Sequence, residues 1–332
     1  MGKQIIGVEI GNYGLKMAEM NGFHLLHFVS EPLPDNMMKD GEVQSWDGLA
    51  DFIKRTAKEN HMTTKEISLV IPDEVCYIRR LTMPVMSAQQ LSVNIPFEFH
   101  DFIGDDRNGY YFDYSMVGML TDGESDEPTE MDLIAVAVSK ALIMQYSEMF
   151  RAAEMKLVCC APHSFAFQQL FRNGIRSEAG HDFAILDVGE TGVNVNIYTR
   201  GIYDVTRQID VGCRQLRATI ADQLAVDPHV AEIYMEKNTK NCLDLEDCHN
   251  IYSNIAIEVM RAVNYYNFNA KDNNLENMYY CGGGAAIKQL IKEIDDTVPL
   301  NMIPLSSFAA PNSQEATALL VGPMAVGMAF NI

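Results

Sequence analysis

No stretch of this chain approaches the roughly 18 consecutive apolar residues that a membrane-spanning helix needs, so no membrane span is expected. The beginning has no charged-then-apolar leader and goes directly into a strand pattern, so no signal peptide is expected either. Cysteine is sparse and unsuited to a disulfide framework: there are seven, an odd and scattered set in which Cys159 and Cys160 are neighbours. A reducing cytoplasm is the expected compartment. Basic residues are the other shortage. Against 45 Asp and Glu stand 25 Lys and Arg, a formal charge of −20 over 332 residues. Such a surface repels nucleic acid and bare anionic lipid, and it favours a basic partner segment. Apolar content of 48% with 21% charged residues leaves enough material for two domains with real cores.

What is present is a motif that occurs twice. Gly7 to Met17 reads GVEIGNYGLKM, and Leu186 to Val195 reads LDVGETGVNV. Each copy has an acid (Glu9, Asp187), an apolar residue, a glycine (Gly11, Gly189), two variable residues, a second glycine (Gly14, Gly192) and another apolar residue. Strand, tight turn and strand make a β-hairpin. Glycine permits positive φ in such a turn and lets its amides approach a ligand closely. One Gly-x-x-Gly after a strand is often only a turn. Two copies, each opening one half of the chain, constrain the whole architecture. If the hairpins face one another, their acids and glycines outline a clamp for phosphate and metal.

The rest supports two α/β halves. Phe23 to Val29 completes a first antiparallel meander; strand alternation puts His24 and His27 on opposite faces, a structural rather than metal-binding pair. A helix is expected over Gly48 to Asn60, with Leu49, Phe52, Ile53 and Ala57 on one face, and a buried strand at Ile67 to Ile71. From about Arg80 to Leu157 the character changes. Ser87 and Gln90 form a capping box for a helix that Pro96 kinks or restarts. Strands at Tyr110 to Met119 and Met131 to Val138 follow, joined by a solvated loop from Thr121 to Glu130, then a helix capped by Ser139. This reads as a small inserted module. Beyond it come a helix at Ala161 to Phe171, the second hairpin, its companion strand Ile202 to Ile209, and a helix at Gln215 to Ala225. Asp227-Pro228 opens another helix, and a long one runs on from Asp244 to about Asn267. Cys242, Cys248 and His249 lack a fourth metal ligand and read as core or surface. Tyr280 leads through Gly282, Gly283 and Gly284 into a helix at Ala285 to Ile294, where glycines admit a flat ligand beside a helix start. A small apolar helix at Glu315 to Met328 closes the chain against the first domain.

Hairpin, hairpin and triple glycine in that order resemble the actin-like nucleotide-binding superfamily. Within it, the chain is most similar to the PilM family of type IV pilus assembly proteins. Met83-Pro84 with the helix reaching Phe97-Glu98, the stretch Leu133 to Met155, Val211-Gly212, and Tyr280 to Leu290 carry the likeness. The resemblance implies an α/β, actin-like (ribonuclease H-like) two-domain fold with a small α/β subdomain inserted in the first domain. It divides the chain into a first domain (1–80, 158–180 and 308–332), an insertion (81–157), a second domain (181–214 and 260–307) and a helical subdomain (215–259). It also implies ATP with Mg²⁺ between the domains. Gly11, Asn12, Tyr13, Lys16, Asp187, Gly189, Glu190, Thr191, Gly212, Gly282, Gly283 and Gly284 would hold the nucleotide, with Glu9 and Asp187 holding Mg²⁺ through water. The implied partner is a PilN-like single-span inner-membrane protein, whose basic cytoplasmic tail would lie near Phe97, Phe99, Phe102 and Ile103. The chain would then be peripheral at the inner face of the membrane. FtsA shares such an insertion but ends in an amphipathic membrane helix, whereas Val321 to Ile332 carries no Lys or Arg.

The departures from the family pattern bear on mechanism. Glu9 stands where the first loop usually has Asp, an uneasy substitution for Mg²⁺. Glu190 puts a charge where a small residue is usual, and Met235 replaces a lysine that often helps hold the nucleoside. The crossing between domains reads Ala161-Pro162-His163-Ser164, without an evident general base; Asp187 is the one catalytic candidate. The expected function is therefore a cytoplasmic scaffold of a pilus, secretion or competence machine, with ATP bound mainly structurally and hydrolysis weak or absent. The alternatives are an active ATPase or sugar-kinase relative, an FtsA-like filament former, or a decayed nucleotide site.

Overall fold

The computed structural model describes residues 4–39, 41–121, 127–175, 180–269 and 275–330. Residues 122–126 of the loop expected from Thr121 to Glu130 lie outside the described residues.

The chain folds the same sheet twice. In the first domain β1 (Gln4–Ile10), β2 (Gly14–Asn21) and β3 (His24–Pro32) form the expected meander. A two-residue ribbon, β4 (Met38–Lys39) with β5 (Glu42–Val43), precedes α1 (Trp46–Glu59). Ser45 caps α1 by accepting from the Gly48 amide at 3.3 Å, and Leu49, Phe52, Ile53 and Ala57 are buried on one face. β6 (Glu66–Ile71) then runs parallel to β1.

The inserted module follows: β7 (Cys76–Pro84), α2 (Ala88–Glu98), α3 (His100–Ile103), β8 (Tyr110–Leu120) and β9 (Glu130–Ser139). Its sheet has three strands in the order β7-β9-β8, one more than the sequence suggests. The Ser87–Gln90 capping box is formed, Pro96 lies inside α2, and Phe99 separates α2 from α3. α4 (Lys140–Ala152) has Ser139 at its cap position without a side-chain bond. It buries Tyr146, Met149 and Phe150 in the first domain's core beside α1, so it does not belong to the module. It is the crossover helix that parallel strands require, carrying the chain from β6 to the parallel strand β10 (Lys156–Pro162). The insertion is therefore the segment from β7 to β9, shorter than 81–157 at its C-terminal end and earlier at its start.

After α5 (His163–Gln169) the second domain repeats the plan with β11 (Phe183–Val188), β12 (Val193–Thr199) and β13 (Ile202–Ile209). Helices α6 (Cys213–Leu224), α7 (Pro228–Lys237) and α8 (Glu246–Asn269) precede β14 (Asn277–Cys281). Asp227 caps α7 as expected, accepting from the His229 amide at 2.9 Å. α8 is unbroken across the expected 259/260 boundary. Then come α9 (Lys288–Thr297), β15 (Asn301–Pro304), α10 (Gln314–Val321) and α11 (Pro323–Ala329). The two five-stranded sheets read β3-β2-β1-β6-β10 and β13-β12-β11-β14-β15, the same order with the same antiparallel and parallel pairings.

The last helix of the sequence reading is two helices, because Gly322-Pro323 breaks it. α11 is buried along its whole length in a core shared by both sheets, with Phe167, Phe183, Tyr198 and Tyr279 among its members. It sits so close to β1 that a Cβ on Gly7 would lie 1.8 Å from the Ala325 carbonyl oxygen. On its other side a Cβ on Gly327 would lie 2.1 Å from the Ala166 carbonyl oxygen of α5.

Candidate functional site

The two hairpins meet across a cleft of about 1330 Å³ between the domains. Each turn is closed by the same bond, from Gly11 amide to Gly14 carbonyl and from Gly189 amide to Gly192 carbonyl, both at 2.9 Å. None of these four glycines has a positive φ, contrary to the sequence reading; among the motif glycines only Gly282 does, at +97°. In the second hairpin the reason for glycine is close approach. A Cβ on Gly192 would lie 2.7 Å from the Ile209 carbonyl oxygen, and one on Gly282 would lie 2.5 Å from an Asp187 oxygen. The loop tips touch: Asn12 donates to the Thr191 hydroxyl at 3.4 Å while accepting from the Gly41 amide at 2.6 Å.

Glu9, Gly11, Asn12, Tyr13, Lys16, Asp187, Gly189, Glu190, Thr191, Gly282 and Gly283 all line this cleft. Gly212 and Gly284, expected in the same role, do not. Their Cβ positions would meet Glu190 backbone at 2.6 Å and the Val188 side chain at 2.4 Å, so they let elements pack behind the loop. Gly283 differs: nothing lies within 4 Å of its Cβ position, which is open space. The triple glycine leads into a short 3₁₀ turn, Gly283–Ala286, and the α-helix begins only at Lys288.

The charges are arranged in pairs. Glu9 and Lys16 are cross-strand neighbours in the β1–β2 hairpin, and the Lys16 Nζ donates to Glu9 Oε1 at 2.5 Å. Burial alone would lower the Lys16 pKa, but the Glu9 carboxylate, by charge and hydrogen bond, leaves it raised. Glu9 Oε2 is buried and makes no hydrogen bond. The counterpart register in the second hairpin pairs Asp187 with Asn194, which brings no charge. Burial first, then the nearby Glu9, holds the Asp187 carboxyl up at about 6, against the opposing effects of His163 and Lys16. Asp73, raised chiefly by its burial, lies beside His163 and accepts from the Ser164 amide at 3.5 Å at the start of α5.

Residues outside the sequence reading also line the cleft, Cys213, Arg214 and Arg217 of α6 among them. In all, nine Asp and Glu face five Lys and Arg along its walls, so a bare polyphosphate would meet net negative charge. Cys242 and Cys248 are buried, with the Cys248 thiol pointing at the Cys242 carbonyl at 3.5 Å; no group of three or more metal-ligating side chains occurs among the described residues.

The partner residues of the sequence reading divide by burial. Phe97 and Phe102 are exposed, at 53% and 50%. Phe99 and Ile103 are buried in the module's own core with Leu91, Ile95 and Leu133, so they hold the helices rather than offer a surface. The division follows helical spacing: Ile95, Phe99 and Ile103 recur every four residues on the buried face, and Phe97 and Phe102 fall off it. Among the described residues no helix is long and apolar enough to cross a membrane.

Duplicated sheets with paired acid–glycine hairpins across a common cleft define the actin-like ATPase fold. The match to known proteins narrows this further. A family model described as type IV pilus assembly protein PilM matches residues 7–319, and the chain belongs to that family. A solved PilM-PilN type IV pilus biogenesis complex superimposes with a TM-score of 0.82 at 19% identity, over 99% of this chain and 98% of that one. The ethanolamine utilization protein EutJ from Carboxydothermus hydrogenoformans gives 0.61 at 11% identity, over 99% and 90%. No curated protein matches the sequence.

Proposed function

We propose that the chain is a nucleotide-clamped scaffold of type IV pilus assembly, which holds the basic cytoplasmic tail of a PilN-like single-span membrane protein at the inner face of the membrane. The observation that carries the nucleotide half is the pair of facing hairpins with Glu9 and Asp187 at the cleft floor. Three features fit magnesium and a polyphosphate: the buried Glu9 oxygen without a partner, the Asp187 carboxyl held high by burial and a neighbouring acid, and the open space over Gly283. Oxygen donors from two carboxylates suit a hard divalent cation, which would supply the charge that the acidic walls lack. Lys16 and the amides between the paired glycines would then hold phosphate oxygens. His163 lies on the cleft wall beside Asp73, and hydrolysis is expected to be weak or absent.

The tail surface rests on Phe97 and Phe102, whose rings lie 4.0 Å from Arg107 and 5.4 Å from Arg79, with exposed Asp101, Asp105 and Asp106 in the same stretch of chain to attract a basic segment. Arg80 of the module ties this surface to the nucleotide domain, pairing with Asp132 at 2.7 Å and with Asp204 of β13 at 2.5 Å. Phe97→Ser and Phe102→Ser together are expected to weaken binding of a basic tail peptide at least tenfold, with little effect on thermal stability. Phe99→Ala, by contrast, is expected to cost about 3–5 kcal/mol of fold stability. Fluorescence anisotropy with a labelled PilN-type N-terminal peptide checks this, alongside thermal melts. Unchanged anisotropy for the double variant would remove the tail from this surface.

A further inference from the structure

Arg217 was not visible as a site residue, yet it is the side chain on which the two hairpins converge. It lies one turn into α6, whose first amides are committed to the second hairpin: Cys213 donates to the Gly189 carbonyl at 3.1 Å and Arg214 to the Glu190 carbonyl at 2.9 Å. That anchors the helix to the loop and aims Arg217 across the cleft. Its guanidinium forms an ion pair with the Glu190 carboxylate of the second hairpin, with side-chain exposures of only 19% and 14%. Its Cζ lies 5.6 Å from the ring centroid of Tyr13, at the tip of the first hairpin. Both partners line the cleft in which a polyphosphate would sit.

We propose that Arg217 is a polyphosphate-gripping residue and that Glu190 is a built-in competitor for it, pairing with the guanidinium that a bound phosphate would take. This rests on the nucleotide reading given above. Carboxylate and phosphate present the same two-oxygen edge to the arginine fork, so one displaces the other without a change of geometry. A phosphate dianion carries more charge than a carboxylate and wins the exchange, while Glu190 taxes the affinity. The competition weakens every phosphate ligand that reaches Arg217. Because Tyr13 backs the same guanidinium from the opposite domain, the exchange is felt on both sides of the cleft. Glu190, a charge where the family usually has a small residue, thereby acts on the ligand through Arg217.

The test is a double-mutant cycle read by calorimetric titration of ATP with Mg²⁺ into the full chain, with circular dichroism to confirm folding. Glu190→Gln is expected to tighten ATP binding about tenfold, and Arg217→Gln to weaken it at least tenfold. Glu190→Gln added to Arg217→Gln is expected to bring no gain. A gain of equal size in both backgrounds would mean simple repulsion and overturn the proposal, as would an unchanged or weaker affinity for Glu190→Gln alone. Arg217→Lys, which keeps the charge and loses the fork, replaces Arg217→Gln in the cycle if the latter fails to fold; it should retain only part of the gain. If the unaltered chain takes up no ATP but Glu190→Gln does, the competitor stands and the clamp reading fails. If neither takes it up, both fall.

Discussion

Replacing Asp187 with asparagine is expected to make the nucleotide-free protein more heat-stable at pH 7.5 and, in the same molecule, to abolish binding of ATP with Mg²⁺. The first effect follows from linkage. The carboxyl titrates near 6 in the fold, against 3.8 as its ordinary value, because burial and Glu9 disfavour its charge. A raised carboxyl contributes stability that is fully present below the unfolded value and is lost as pH rises through about 6. At pH 7.5 the empty protein therefore carries an ill-placed anion. A shift of about two pH units corresponds to about 3 kcal/mol, which cleft water reduces to about 1–2 kcal/mol. Asparagine removes the anion, so its advantage in melting temperature should amount to a few degrees at pH 7.5, shrink as pH falls through about 6, and vanish near 4. The second effect has the opposite sign because a divalent cation needs that same charge; at least a hundredfold loss of affinity is expected. Thermal melts across pH with and without nucleotide check both. An asparagine variant less stable than the parent at pH 7.5 would show that Asp187 is paired favourably in the empty fold.

The other large effect separates two glycines that look alike in the sequence. Gly7→Ala is expected to cost more than about 3 kcal/mol, because the new methyl would stand 1.8 Å from a backbone oxygen of α11 that cannot yield without moving the helix. That helix is buried among both sheets, so its displacement would open the shared core. Gly283→Ala adds the same methyl to open space in the cleft and should leave stability within about 0.5 kcal/mol. It should nonetheless weaken ATP binding at least tenfold, since the methyl fills the room that a ligand requires. Chemical denaturation and nucleotide titration on the two variants give the comparison; loss of binding without loss of fold for Gly7→Ala would invert the assignment.

Much of the fold was legible because it is written twice. The hairpin glycines, the capping box at Ser87 and the Asp227-Pro228 start are local signals that tertiary context did not override. β7 escaped notice because its residues are mixed in burial along most of the strand and show no clean period of two. The owner of α4 was not legible either, since an amphipathic helix shows that one face is buried and not against which domain. Gly322-Pro323 is the local signal for the break between α10 and α11, set within an apolar run. At the cleft, glycines that border open space and glycines that allow close packing look the same in the sequence, so Gly283 and Gly284 are told apart only by what surrounds them. Arg217 gave no signal, because an arginine in a charged helix reads as a solvated face.

Closure of both hairpins on one anion is tested directly by paramagnetic relaxation. With Mn²⁺ in place of Mg²⁺, one equivalent of ATP should broaden the backbone amide resonances of Gly11 and Asn12 together with those of Gly189 and Glu190, and leave those of the inserted module sharp. Broadening confined to one hairpin, or absent from both, would contradict it.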